Sequence, residues 1–78
     1  MKEVEFLQFL LENMVSNPED IKIERKEDEL GVLLTVSANK EDMGVIIGKG
    51  GNNINSIRSI LRLVGMKLNK KINIKVLD

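Results

Sequence analysis

The stretch Val45-Ile46-Ile47-Gly48-Lys49-Gly50-Gly51-Asn52-Asn53-Ile54 constrains this chain more than any other. Three apolar residues run into a turn that holds three glycines and one lysine, and a second patterned segment leaves it. Glycine lets the backbone reach positive φ and lets N–H groups approach a bound group closely. A helix that starts just after such a turn adds unpaired N–H donors and the positive end of its dipole, which suits phosphate.

Composition narrows what can surround that turn. Seventy-eight residues allow one domain and no separate catalytic unit. Cysteine and histidine are both absent, so disulfides, thiolate chemistry and the usual general base are unavailable. No metal or cofactor is expected. The glycine turn lacks the Lys-Ser/Thr ending of a P-loop, and Asn53 stands where a dinucleotide fingerprint needs its third glycine, which argues against an enzyme. No apolar run approaches the roughly 20 residues of a membrane span. The N-terminus is acidic where a signal peptide is basic, so a cytosolic location is expected. The net charge of zero hides a split. Residues 1–39 hold four Lys/Arg against nine Asp/Glu, and residues 40–78 hold eight against three, so the halves carry −5 and +5. Asymmetry of this kind points to nucleic acid, and the glycine turn lies in the basic half.

Periodicity supplies the element order. Val4, Leu7, Leu11 and Met14 recur at helical spacing, predicting an amphipathic helix over 2–16 with Phe6 and Phe9 in the core, stopped by Asn17-Pro18. Residues 21–26 alternate as a strand near a sheet edge, 27–31 turn, and 32–38 form a more hydrophobic strand with Val32, Leu34, Val36 and Ala38 on one face. The acidic tip at 27–29 reads as solvated rather than metal-binding. Asn39 is placed to cap a short helix from Lys40 to Gly48. A second helix, capped by Asn52 or Asn53, is predicted to run to Val64 with Gly65 as its stop. Ile72-Asn73-Ile74-Lys75-Val76 closes the chain as an alternating strand. Two helices between the second and third strands allow those strands to be parallel. The expected fold class is α+β: α-β-β-α-α-β, a three-stranded mixed sheet with all helices on one face.

That order, with Gly-x-x-Gly at the junction of two helices, resembles the type II KH domain over the whole chain, residues 1–78. Closer still is the resemblance to the small single-KH proteins of bacteria, the KhpA type. It rests on Asn17-Pro18-Glu19-Asp20 before the first strand, Glu41-Asp42-Met43-Gly44 leading into Ile46-Ile47-Gly48-Lys49, and Ile57-Arg58 in the following helix. Two positions depart from that family's pattern. Gly50 stands where a larger polar or basic side chain is usual, and Asn52 often corresponds to arginine, so weaker phosphate affinity or a more flexible loop is expected. The resemblance implies single-stranded RNA as ligand and an RNA-chaperone or post-transcriptional role. It also implies a larger RNA-binding partner of the KhpB type and links to cell-wall homeostasis and cell shape.

The expected site follows from the turn and the helix after it. Gly48, Lys49, Gly50 and Gly51 would lie against the phosphates of about four nucleotides. Ile47 and Ile54 are candidate groove walls, with Asn52 beside the loop and Gly44 open to a strand or simply packed. Taking Ile54 as zero at about 100° per residue, Ile57, Leu61 and Val64 fall in a core arc of about 80°. Asn55, Arg58 and Arg62 form a polar, basic strip suited to phosphate or base. Ser56, Ser59, Ile60 and Leu63 occupy the remaining side, a candidate face for a homodimer or a second protein. Trp and Tyr are absent, so aromatic base stacking is largely unavailable and sequence discrimination should be weak. The alternative is a KH fold used mainly as a protein-interaction or dimerisation module for a larger RNA-binding partner or the ribosome.

Overall fold

The computed structural model describes residues 1–77. The order is α1 (Lys2–Glu12), β1 (Lys22–Asp28), β2 (Gly31–Ser37), α2 (Met43–Ile47), α3 (Asn52–Leu68) and β3 (Ile72–Val76). Short 3-10 turns at Pro18–Asp20, Lys40–Asp42 and Lys49–Gly51 link them. The sheet order is β1-β2-β3, with β1 antiparallel and β3 parallel to the central β2. The mixed sheet expected from the two-helix crossover is therefore present.

Alternation in the strands decides which face is covered. Val32, Leu34 and Val36 of β2, with Ile72 and Ile74 of β3, point inward and are buried. Lys22, Glu24, Lys26, Asn73 and Lys75 point outward and are exposed. Onto the inner face pack Leu7 and Leu11 from α1, Ile46 from α2, and Ile54, Ile57 and Leu61 from α3, forming one cluster with the strands. All three helices thus share one side of the sheet.

Several boundaries differ from the sequence reading, each for a local reason. The first helix ends at Glu12 rather than residue 16, where the Asn13 side chain turns back to donate to the Phe9 carbonyl at 2.7 Å. Phe9 is 62% exposed, so it is not a core residue, while Phe6 packs at the core margin. The hairpin is tighter than expected. β1 continues to Asp28 and β2 begins at Gly31, with the Asp28 carboxylate accepting from the Leu30 N–H at 2.8 Å. Gly65 does not stop α3, which runs on to Leu68 and ends at Asn69 in the left-handed conformation. Gly65 instead lies buried where β3 begins, and a Cβ there would run into the Lys70 carbonyl and the Ile72 side chain. Its own carbonyl accepts from the Lys70 N–H at 2.8 Å. A small residue was needed here for packing rather than for termination.

Two polar ties hold the periphery. Asp42, 2% exposed, accepts from the Ser16 N–H at 2.9 Å, the Asn17 N–H at 3.0 Å and the Asn17 side chain at 3.1 Å. Asn39 caps as expected, accepting from the Glu41 N–H at 2.9 Å, and also donates to Asp20 at 3.0 Å. The segment around 17–20 and the segment around 39–42 are therefore stitched to each other, fixing the entry into α2. The second tie joins α1 to the sheet edge. Glu3, 1% exposed, accepts from Arg25 at 2.8 Å, Arg25 also donates to Glu27 at 2.7 Å, and Lys70 approaches Glu27 at 3.7 Å.

The Ser16 N–H, against the opposing effect of burial and with help from both Asn17 donors, holds the Asp42 carboxyl below the ordinary aspartate range. Burial would raise Glu3, but backbone hydrogen bonding and Arg25 outweigh it and leave that carboxyl lowered as well. Lowered native values mean the stabilisation is fully present above the unfolded pKa values of about 4 and is lost as pH falls through the native ones. Urea unfolding from about pH 6 to about pH 2 should show this loss, and Asp42→Asn should be less stable than wild type at neutral pH with a gap that narrows on acidification. In the core, Leu61→Ala should cost about 2–5 kcal/mol, and Gly65→Leu about 1–3 kcal/mol through overpacking, both read from urea midpoints.

Candidate nucleic-acid interface

The glycine turn is built by α2 ending abruptly. Gly48 terminates it with φ 77° and ψ 171°, its N–H donating to the Gly44 carbonyl at 2.8 Å. The chain then makes one 3-10 turn, closed by the Gly51 N–H donating to the Gly48 carbonyl at 3.1 Å, and enters α3 at Asn52. A Cβ at Gly48 would lie 2.6 Å from the Asn53 side chain and 2.8 Å from its backbone nitrogen. Only glycine satisfies both that space and that φ.

Asn53, itself exposed, spans the turn. Its side chain donates to the Val45 carbonyl at 2.7 Å, pinning the start of α3 to the end of α2. The sequence reading made Asn52 or Asn53 a helix cap. In the structure neither caps, because Gly51 in the left-handed conformation precedes the helix and no side chain caps it. An asparagine just after a glycine run was the available signal, but capping and cross-turn bonding look alike in one dimension.

The outer side of the turn is open. Lys49 and Gly50 are exposed, and a Cβ added at Gly50 would meet nothing within 4 Å. Gly51 is half-buried, with the Asn55 side chain 3.6 Å from where its Cβ would be. Gly44 is likewise open, with nothing within 4 Å of a Cβ, so it does not serve packing. Lys49 has no ion-pair partner among the described residues. The turn is braced from inside and bare outside, an arrangement that presents backbone to an anion.

The neighbouring residues divide. Ile47 is half-buried at the core margin, able to form a wall, whereas Ile54 is buried in the core and supports the site from beneath. Asn52 is exposed, and its carbonyl accepts from Ser56 at 2.9 Å. Arg58 donates to the Asn55 side chain at 3.1 Å and to the Ile74 carbonyl of β3 at 3.3 Å, so it bridges α3 and β3. Arg62 is exposed one turn further along. Ser59 turns its hydroxyl back to the Asn55 carbonyl at 3.1 Å. On that outward side Ile60 is 39% exposed and Leu63 66% exposed, with Met66, which the sequence reading left out, at 73%. No group of acidic residues able to hold a metal ion occurs among the described residues. Nor is any described helix long and apolar enough to cross a membrane.

Comparison with known proteins agrees with the architecture. The family model described as KhpA/KhpB, KH domain matches residues 4–76. A Listeria monocytogenes protein named RNA-binding protein KhpA is 34% identical over 74 residues, covering 95% of this chain and 97% of its own length. Proteins of the same name from Chlamydia pneumoniae, 31% identical with 95% of each chain covered, and Borreliella burgdorferi, 28% identical over 97% of this chain and 93% of its own, are similar. No solved structure matches the chain. Two-helix junction, mixed sheet and family match agree: the chain belongs to the KhpA/KhpB KH-domain family.

Proposed function

We propose that the chain, as one KH unit, binds single-stranded RNA, laying the backbone of Gly48 to Gly51 against the phosphates of about four nucleotides. The observation that carries this reading is the bare outer face of a braced turn, with exposed Lys49 beside it and the N-terminus of the 17-residue α3 behind it. Ile47 lines the approach, and Asn52, Asn55 and Arg58 stand along the first turns of α3. The relatives named RNA-binding protein support the ligand class. The chain would serve as a cytosolic RNA chaperone or post-transcriptional regulator rather than as an enzyme. The link to cell-wall homeostasis and cell shape rests on the family resemblance alone.

Short fluorescent RNA oligomers, titrated at several salt concentrations, test the loop. Wild type should bind saturably and more weakly as salt rises. Gly50→Asp, Gly51→Asp should lose most of that binding while keeping its circular dichroism spectrum. Asp tolerates positive φ better than most residues, and neither position crowds a Cβ. Equal binding by the folded variant would place RNA elsewhere.

A second reading concerns the other side of α3, where Ile60 and Leu63 form an exposed apolar pair. Ser56 and Ser59 keep the flank narrow by folding their hydroxyls onto the helix backbone. Such a surface fits a helix-to-helix contact with a second copy or with a larger KhpB-type RNA-binding protein. Light scattering should give a dimer for wild type and a monomer for Ile60→Asp. An unchanged mass would remove this face from consideration.

A further inference from the structure

Helix α3 leads from the glycine turn to the start of β3. Two contacts fix its course. Gly65 packs against Ile72, and Arg58 donates to the Ile74 carbonyl, so α3 and β3 lie side by side and run in opposite directions. At the far end, where α3 passes into β3, a cleft of about 810 Å³ is lined by Arg62, Met66, Asn69, Lys70, Lys71, Ile72 and Asn73. No acidic residue lines it. At about 1.5 Å rise per residue, Met66 lies about 21 Å along the helix from Asn52.

The rim of this cleft is rigid. The Asn69 N–H donates to the Met66 carbonyl at 3.2 Å, the Lys70 N–H to Gly65 at 2.8 Å, and the Lys71 carbonyl accepts from the Val32 N–H of the central strand at 2.7 Å. Lys70 has part of its charge committed, its ammonium lying 3.7 Å from Glu27. Arg62 and Lys71 are different, both exposed and neither ion-paired among the described residues. A guanidinium and an ammonium lining one cleft, with no carboxylate paired to either, suit a phosphate. Exposed Met66 adds a soft apolar surface on which a base can rest.

We propose that this cleft is a second anchor for the same RNA strand, in which Arg62 and Lys71 hold a phosphate beyond the nucleotides gripped by the glycine turn. The proposal rests on the loop reading above and extends it, because α3 runs from the glycine turn to this cleft. Arg58 stands between the two places on α3, committed to Asn55 and Ile74. The ligand is then a single-stranded segment longer than about four nucleotides, within the range of about 4–16 that small nucleic-acid-binding folds occupy.

The test compares RNA oligomers of about four and about ten nucleotides, titrated from about 50 to about 200 mM salt against three proteins. Each cation engaged on a single strand adds about 0.7 to the slope of log K against log salt, so the long oligomer should exceed the short one by about 1.4 on wild type. Over that salt range the excess amounts to about a sevenfold difference in the loss of affinity. Lys71→Gln should bind the short oligomer as wild type does and lose about half of the excess on the long one. Arg62→Gln, Lys71→Gln should lose it all. Extra binding registers on the longer strand strengthen every variant alike and cancel in this comparison. If the double variant keeps the wild-type excess while Gly50→Asp, Gly51→Asp abolishes binding, the loop reading stands and the second anchor is overturned. If wild type binds neither oligomer, both are overturned.

Discussion

The turn at Gly48 is the constraint on which the rest of the structure depends. Two helices must meet within four residues, and the space between them is filled by the Asn53 side chain reaching the Val45 carbonyl. A Cβ at residue 48 would displace that side chain, and a non-glycine residue would resist φ 77°. Because the junction is closed from inside, the loop presents its backbone outward. The direction of α3 is set at the same point. From there its apolar arc, Ile54, Ile57 and Leu61, falls onto the sheet, and the arc in turn decides which residues line the groove and which face away.

Charge is sorted by the same geometry. The carboxylates that tie elements together are engaged where they stand. Glu3 and Glu27 share Arg25, Glu27 also meets Lys70, and Asp42 is engaged by three N–H donors from Ser16 and Asn17. Lys49, Arg62 and Lys71 find no such partners among the described residues. A net charge of zero therefore coexists with a local positive surface along α3 and β3. With a screening length of about 8 Å at physiological salt, an approaching strand responds to that surface more than to the total.

The sequence made the fold legible because its signals were redundant. Alternation gave the strands and their inner faces, helical spacing gave the α3 core arc, and the two-helix crossover gave the parallel pairing of β2 with β3. Where one residue type serves two purposes, the reading failed. Gly65 looks like a helix stop and is a packing contact, and Asn53 looks like a cap and is a brace across a turn. Phe9 looks like core by its chemistry yet lies on the wrong side of α1. The Glu3–Arg25 and Asp42–Asn17 ties were invisible, since pairings across 22 and 25 residues leave no periodic trace. The loop itself was legible from its composition. The cleft at the far end was not, because it joins residues of α3 and β3 that become neighbours only once Gly65 lets the chain fold back.

The two departures from the family pattern acquire a physical meaning in this setting. Gly48 is required by space and conformation; Gly50 is not crowded, so a larger side chain there would extend into solvent, but its φ of 63° makes any such side chain hold a left-handed backbone. Asn52 is likewise exposed, and an arginine in its place would meet no steric barrier. The difference at 52 therefore changes what the loop offers a ligand rather than how the loop folds, whereas the difference at 50 touches both. On the proposed reading, with Lys49 as its one cation, the loop would bind chiefly through backbone groups, which are indifferent to base identity. On that reading selectivity and electrostatic strength would come from outside the turn, and Arg62 and Lys71, without ion-pair partners among the described residues, line the cleft at the other end of α3.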